Sequence, residues 1–323
     1  MNNTTHSNFE SSVERFSHND VRGDIASEKK AMLPALLIRS ALIAVLIGLF
    51  SYASYMLIAS ALQTEEVNEL YGEILPENTL SAVKHSAPLP EPTSMYTLEQ
   101  MINSNGEYLN YIGGNASVED SQRRSDYYRN YMKFKSKYED AYAWIYVDYT
   151  KINYPILKHS SDTNFYLFHD FNGKDLSSGC ITAEFSMSDD WDANINNVIY
   201  GHCMKNGSMF RTLKTFMESA NRNTLVKTMN IEIYTEKGLY IYKVLTGYRN
   251  ATTDFTQTIF ANSDEYLAFL NKIVGRNTLR INREYNAESR ICTLITCANV
   301  NNNDDERYVV HGILTSFIPA SQL

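Results

Sequence analysis

Three side chains in this sequence have the chemistry of a nucleophile and its helpers: Cys297, His202 and Arg307. Cys297 closes the run Ile291-Cys-Thr-Leu-Ile-Thr-Cys297, which is apolar or β-branched at nearly every position and so reads as a buried strand. The loop-forming residues Ala298 to Glu306 follow, and Arg307-Tyr-Val-Val-His-Gly-Ile-Leu314 reads as a second strand. Such a two-strand unit brings Cys297 and Arg307 together at one end of a sheet, where reactive side chains commonly sit. His202 follows another short apolar strand, Asn197-Val-Ile-Tyr200, and Gly201. A cysteine nucleophile needs a group that keeps its thiolate available and protonates a leaving amine, and histidine suits both tasks. Arginine stays charged and offers forked donors, which suits an oxyanion or a substrate carbonyl.

The elements that must hold these residues form a β-rich domain. Short strands are expected at Trp144–Val147, Ile152–Leu157, Cys180–Ala183, Asn197–Tyr200, Ile231–Tyr234 and Leu239–Leu245. With the two C-terminal strands they make about eight, enough for a closed or nearly closed barrel. Helices are expected at Ser117–Tyr138, with Ser117 as cap, at Met209–Met217 behind Ser208, and at Asp264–Val274 between Ser263 and Gly275. The last lies in a long connection, 250–290, the kind of segment that often walls a substrate site.

Upstream the chain changes character. Ser40 to Leu62 contains no charged residue, and 23 residues at about 1.5 Å each span about 35 Å, enough to cross a bilayer. Lys29, Lys30 and Arg39 precede it and Glu65, Glu66 and Glu69 follow. The positive-inside rule then puts the N-terminus in the cytoplasm and the rest of the chain outside. The organisation expected is a polar, mostly disordered cytosolic tail at 1–39, an uncleaved membrane anchor at 40–62, a proline-containing stalk at 63–115, and a catalytic domain at 116–323.

Composition excludes several classes. A net charge of −8 over 323 residues lacks the basic excess that neutralises phosphates, so no nucleic-acid partner is expected. Four cysteines in so long a chain do not form a disulfide framework. His202, Cys203 and Cys297 match no closed metal-site spacing, and Asn301 to Glu306 has oxygen ligands without the order or glycine of an EF-hand. No metal or other cofactor is therefore expected.

Together the motifs resemble the sortase family. Thr293-Leu-Ile-Thr-Cys297 matches that family's Thr-Leu-x-Thr-Cys motif, with Arg307 opening the next strand and His202 in Tyr200-Gly-His202. Thr150-Lys-Ile-Asn-Tyr-Pro-Ile156, Phe165-Tyr-Leu167, Val198 to His202 and Lys205 to Phe210 narrow the resemblance to class B, as do the extra N-terminal helix and the helix in the 250–290 connection. It implies a mainly β, eight-stranded sortase-type barrel in a membrane-anchored cysteine transpeptidase of Gram-positive bacteria. It also implies that Cys297 attacks the sorting signal of a surface protein after Thr and forms a thioester. His202 would protonate the leaving amine, and Arg307 would hold the signal and stabilise the oxyanion. The acceptor would be an amine of a peptidoglycan precursor or a pilin lysine. Leu167, Tyr200 and Thr296 are the groove residues it implies.

Two rival readings accompany it. Ser178-Gly-Cys-Ile181 resembles part of the nucleophile motif of L,D-transpeptidases, but Ser178 and Thr182 stand where that motif has His and Arg, so Cys180 is read as a buried strand residue. An anchored, non-catalytic peptide-binding domain would keep the barrel without the chemistry. Period-2 alternation separates Cys292 from Cys297 and assigns Cys292 to the core, and mid-strand His311 is read as a packing residue.

Overall fold

The computed structural model describes residues 18–72, 74 and 118–323, except 149, 219–225, 227–228, 251–252 and 298–305. It divides into two compact units, Met1–Ala61 and Leu62–Leu323.

The first unit is helical. Helix α1 covers His18–Gly72 and continues into the second unit. Its segment Leu37–Ala59 is long and apolar enough to cross a membrane, and Leu42, Leu46, Phe50 and Leu57 are exposed along it. The expected tail is therefore helical from His18 onward: extending an existing helix fixes one residue per added hydrogen bond and avoids the cost of nucleation. Residues 1–17 of that tail lie outside the described residues, as does most of the expected stalk.

The second unit is a closed barrel of eight strands in the order β1-β2-β3-β4-β7-β8-β6-β5. The strands are β1 Ala141–Val147, β2 Asn153–Leu157, β3 Ile181–Ala183, β4 Asn196–Tyr200, β5 Asn230–Thr235, β6 Gly238–Asn250, β7 Ile291–Cys297 and β8 Arg307–Pro319. Two pairings are parallel, β2 with β3 and β4 with β7. The expected strands all form, most of them longer than the apolar runs suggest, because closure pairs every strand on both sides.

The helices pack around this barrel. Helix α2, Val118–Lys137, buries Tyr127, Tyr131 and Phe134, each burial worth about 2 kcal/mol or more. It also carries charge into the interior. Glu232 of β5 is fully buried and accepts from Arg123 Nη1 at 2.8 Å, Arg123 Nη2 at 3.1 Å, Arg124 Nε at 2.8 Å and the Tyr234 hydroxyl at 2.7 Å. Burial alone would raise the Glu232 pKa, but the two arginines outweigh it and hold the carboxyl well below its usual range.

Three expectations need correction. The helix behind Ser208 begins later, as α4 Arg211–Glu218, because Met209 forms a β-bridge with Cys203 and adopts a φ of 54°. The Ser208 hydroxyl instead donates to Asn206 Oδ1 at 2.6 Å. Helix α5, Ser263–Gly275, is capped by Asn262, whose side chain accepts from Glu265 N at 2.9 Å, so Ser263 is its first residue rather than its cap. The tail expected to be mostly disordered is helical from His18 onward, and the same helix runs into the expected stalk through Gly72, with Tyr71 buried against Tyr154 and Phe171.

Glu232→Gln should destabilise the protein by about 3 kcal/mol, since it leaves two largely buried guanidiniums without their counter-charge. Chemical denaturation of both proteins at pH 7 measures it. The native contribution of Glu232 is full above its unfolded pKa near 4.5 and fades as pH falls toward its lowered folded value. The variant should lack that acid limb.

Candidate functional site

Strand register gathers the candidate residues. In the parallel pair β4–β7, Asn196 lies opposite Ile291 and Tyr200 opposite Ile295, and Gly201 N donates to Ile295 O at 3.0 Å. Two residues further along each chain come His202 and Cys297. On the other side of β7, Cys297 pairs with Arg307, and Arg307 pairs with Asn250 at the end of β6. One end of the sheet therefore carries His202, Cys297, Arg307 and Asn250 in a row. Gly201 is required where it stands: a Cβ there would lie 2.5 Å from Ile181 Cδ1 and 2.9 Å from the Phe210 ring.

His202 is half-buried and held from three directions. Its backbone carbonyl accepts from Phe210 N at 2.9 Å, and its ring meets Phe168 edge-on at 5.7 Å. Its Nε2 lies 2.8 Å from the carbonyl oxygen of Leu167. A carbonyl oxygen only accepts, so Nε2 carries the hydrogen and the neutral ring keeps its lone pair on Nδ1. Burial lowers the His202 pKa, and the bond to Leu167 opposes that effect, so the lowering is net.

The Leu167 carbonyl is fixed by a residue that the sequence reading passed over. Leu167 belongs to the short helix α3, Phe165–Phe168, and Cys180 N donates to Tyr166 O at 2.6 Å. Gly179 has a φ of +52°, and a Cβ on it would sit 2.1 Å from Leu167 O. The run Ser178-Gly-Cys180 thus supports the acceptor of His202. The signal was present as a glycine just before a strand, a frequent mark of close backbone approach.

The other expected residues fall as follows. Arg307 is half-buried, and its Nη1 donates to Glu306 O at 3.1 Å, while the Glu306 carboxylate is ion-paired with Arg249. Leu167 and Tyr200 are half-buried; the Tyr200 hydroxyl donates to Glu184 Oε2 at 2.9 Å, and Glu184 Oε1 accepts from Thr163 at 2.8 Å. Thr296 is only 1% exposed, and its hydroxyl makes no hydrogen bond among the described residues. Phe168, edge-on to His202, is an exposed apolar side chain beside the row.

The remaining thiols are interior groups. Cys180 is fully buried, accepts from the Tyr71 hydroxyl at 3.4 Å, and has its pKa pushed up to about 12 by burial. Cys292 is fully buried and also shifted upward by burial. Cys203 is buried with Arg211 Nη1 at 3.6 Å. His311 is fully buried between Tyr248 and Thr293, in keeping with a packing residue. Among the described residues no group of three or more His, Cys, Asp or Glu side chains is placed to hold a metal. Residues 301–305 of the oxygen-rich loop lie outside the described residues.

A family model described as the Sortase domain matches residues 145–315 of the chain. The chain belongs to the sortase family. Its sequence is 29% identical to sortase B of Listeria monocytogenes over 181 residues, which is 55% of this chain and 71% of that protein. Among solved structures, Clostridium perfringens sortase B is 28% identical with a TM-score of 0.52, over 57% of this chain and 99% of the other. Bacillus anthracis sortase B in complex with AAEK1 is 27% identical with a TM-score of 0.51, over 60% and 94%. The relatives are class B sortases, and the activity class is that of a cysteine transpeptidase.

Gly179→Ala should lower stability by about 1–3 kcal/mol and displace the Leu167 carbonyl, because the new methyl group needs the space that oxygen occupies. Histidine ring ¹⁵N shifts should show the Nε2–H form dominant at His202 in the native enzyme and a mixture of tautomers in the variant.

Proposed function

We propose that this sortase cleaves the sorting signal of a surface protein after Thr through a thioester on Cys297, and passes the acyl group to an amine of the cell wall. The observation that supports the reading best is the row of His202, Cys297 and Arg307 at one end of the sheet, with His202 Nε2 already engaged by Leu167.

The chemistry follows from that arrangement. The Cys297 thiol passes its proton to the free Nδ1 of His202, the thiolate sulfur attacks the Thr carbonyl carbon, and the carbonyl π pair moves onto oxygen. Arg307, always charged, opposes the negative charge that develops there. As the C–N bond breaks, the departing nitrogen takes a proton from His202 Nδ1, the ring nitrogen left for exchange. The incoming amine then attacks the thioester, gives a proton back to Nδ1 and releases the thiolate. A thioester keeps enough reactivity for a second amine, and exclusion of water favours that amine over hydrolysis.

The partners in this reading are surface proteins bearing a sorting signal and a peptidoglycan-precursor amine or pilin lysine. Leu167, Tyr200 and Thr296 border the groove, Leu167 through its backbone and Thr296 from within the sheet. Helix α1 anchors the enzyme through one span, with residues 1–39 cytoplasmic and the domain extracytoplasmic in a Gram-positive envelope. The charges on either side of the span support this orientation. The L,D-transpeptidase reading through Cys180 is disfavoured by the burial and raised pKa of that thiol.

The test is intact-protein mass spectrometry of the full chain in detergent with a panel of sorting-signal peptides. The expected result is a mass increase equal to the fragment through Thr, mapped to Cys297 and discharged by an added amine. Cys297→Ala should abolish the adduct and reduce turnover by about 10³-fold or more, while Cys180→Ala should retain both. An adduct on Cys180, or unchanged turnover in Cys297→Ala, would overturn the reading.

A further inference from the structure

Beneath the 250–290 connection lies a second row of polar side chains, fully buried and not used in the chemistry above. Asn196 begins β4, Thr293 lies mid-way along β7, His311 lies on β8 and Tyr248 on β6. All four are 1% exposed or less. Their hydrogen bonds form one chain. Asn196 Nδ2 donates to Gln257 O at 2.9 Å, and Thr293 Oγ1 lies 2.7 Å from Asn196 Oδ1. Thr293 Oγ1 is also 2.8 Å from His311 Nδ1, and His311 Nε2 is 2.8 Å from the Tyr248 hydroxyl. Beyond Tyr248 stands Arg276, whose guanidinium lies over the Tyr248 ring at 5.7 Å and gives two 2.7 Å bonds to Asp254.

The direction of every proton follows from the Gln257 end. The Gln257 carbonyl can only accept, so Asn196 presents its NH₂ to it and its Oδ1 to Thr293. Thr293 has one hydroxyl hydrogen and spends it on Oδ1, so it must accept from His311. Nδ1 of His311 therefore carries the hydrogen, and neutral Nε2 accepts from Tyr248. Arg276, a permanent cation, packs over the Tyr248 ring. A second proton on His311 would leave the Tyr248 hydrogen without an acceptor and put a cation beside Arg276 in a site closed to water.

We infer that His311, as the Nδ1–H tautomer, is a positioning residue for the transpeptidation: through Thr293 and Asn196 it fixes the relative placement of the strands that carry Cys297 and His202, and through Tyr248 and Gln257 it attaches the 250–290 wall to them. The inference rests on the assignment of Cys297 and His202 above. The Thr293–Asn196 bond joins β4 to β7 four residues before Cys297 and six before His202. The wall hangs on this chain by Gln257, and at its other end Arg276 packs over the Tyr248 ring. Helix α5 covers the row, with the Phe269 ring edge-on to His311 at 6.5 Å. A shift of about 1 Å between catalytic groups can cost about 10²-fold in rate, so a clamp this close to both groups has kinetic consequence.

The test uses the full chain in detergent, with Thr293→Val, Thr293→Ser and His311→Gln beside the native enzyme. Three readouts are taken: the rate of acyl adduct formation on Cys297 with the best peptide, the rate of Cys297 alkylation by iodoacetamide, and the histidine ring ¹⁵N shifts. The expected result is adduct formation slowed about tenfold or more in Thr293→Val and His311→Gln, alkylation within about twofold of native in both, and Thr293→Ser close to native on every measure. Native His311 should show the Nδ1–H form. Native adduct formation with an equal rate in Thr293→Val overturns the inference while leaving the assignment of Cys297 intact. The Nε2–H form at His311 overturns it whatever the kinetics. Absence of any adduct in the native enzyme, with the Nδ1–H form present, counts against the assignment of Cys297 instead. Should His311→Gln fail to fold, the Thr293 pair decides, since valine and threonine are nearly the same shape.

Discussion

Parallel pairing of β4 with β7 is the constraint from which the rest of this structure follows. Two parallel neighbours cannot be closed by a tight turn, so the chain must leave β4, travel, and return in the same direction. The travelling segment here contains α4, β5, β6 and α5. What it gains is that both strands end at the same edge, so residues beyond Tyr200 and beyond Ile295 become neighbours. An antiparallel pair would have sent one of them to the far end of the barrel. The residues that follow those endings are His202 and Cys297.

Keeping such an edge in order requires satisfied polar groups, because a barrel interior offers no water. The barrel shows three solutions to that problem. Glu232 is covered by two arginines and a tyrosine. His202 is given a carbonyl acceptor by α3, and that carbonyl is held against a glycine which no larger residue can replace without a shift. The Asn196–Thr293–His311–Tyr248 row leaves no donor idle. Each group is buried with a partner of the right polarity, so burial fixes tautomers and charge states as well as positions.

Much of this was legible in the sequence, for definable reasons. The strands announced themselves through β-branched runs such as Cys292 to Thr296, and the apolar segment before Leu62 was distinguished by length and lack of charge. The grouping of Cys297, His202 and Arg307 followed from motif order, since separate strands have no local signal for which edges meet. What escaped notice depended on contacts between distant segments. Gly179 looked like part of a decoy motif, because its value lies in the oxygen of Leu167, twelve positions earlier. Asn250 was read as the start of the 250–290 connection, because the apolar run ends at Leu245, until β6 carried it beside Arg307. The Asn262 cap was missed by one residue, since Asn and Ser are nearly equal at that position and only backbone geometry separates them.

Tyr71 has a further meaning for how the protein is divided. Its ring is packed against Tyr154 and Phe171, and its hydroxyl reaches the Cys180 thiol. The folded unit therefore begins at Leu62, inside a helix, and not at the first residue of α2. Residues usually regarded as a tether contribute an aromatic plug to the interior and shield a thiol from solvent. A form of this enzyme cut between α1 and α2 would keep all eight strands and yet lose the Tyr71 ring from its interior and the hydroxyl that donates to Cys180.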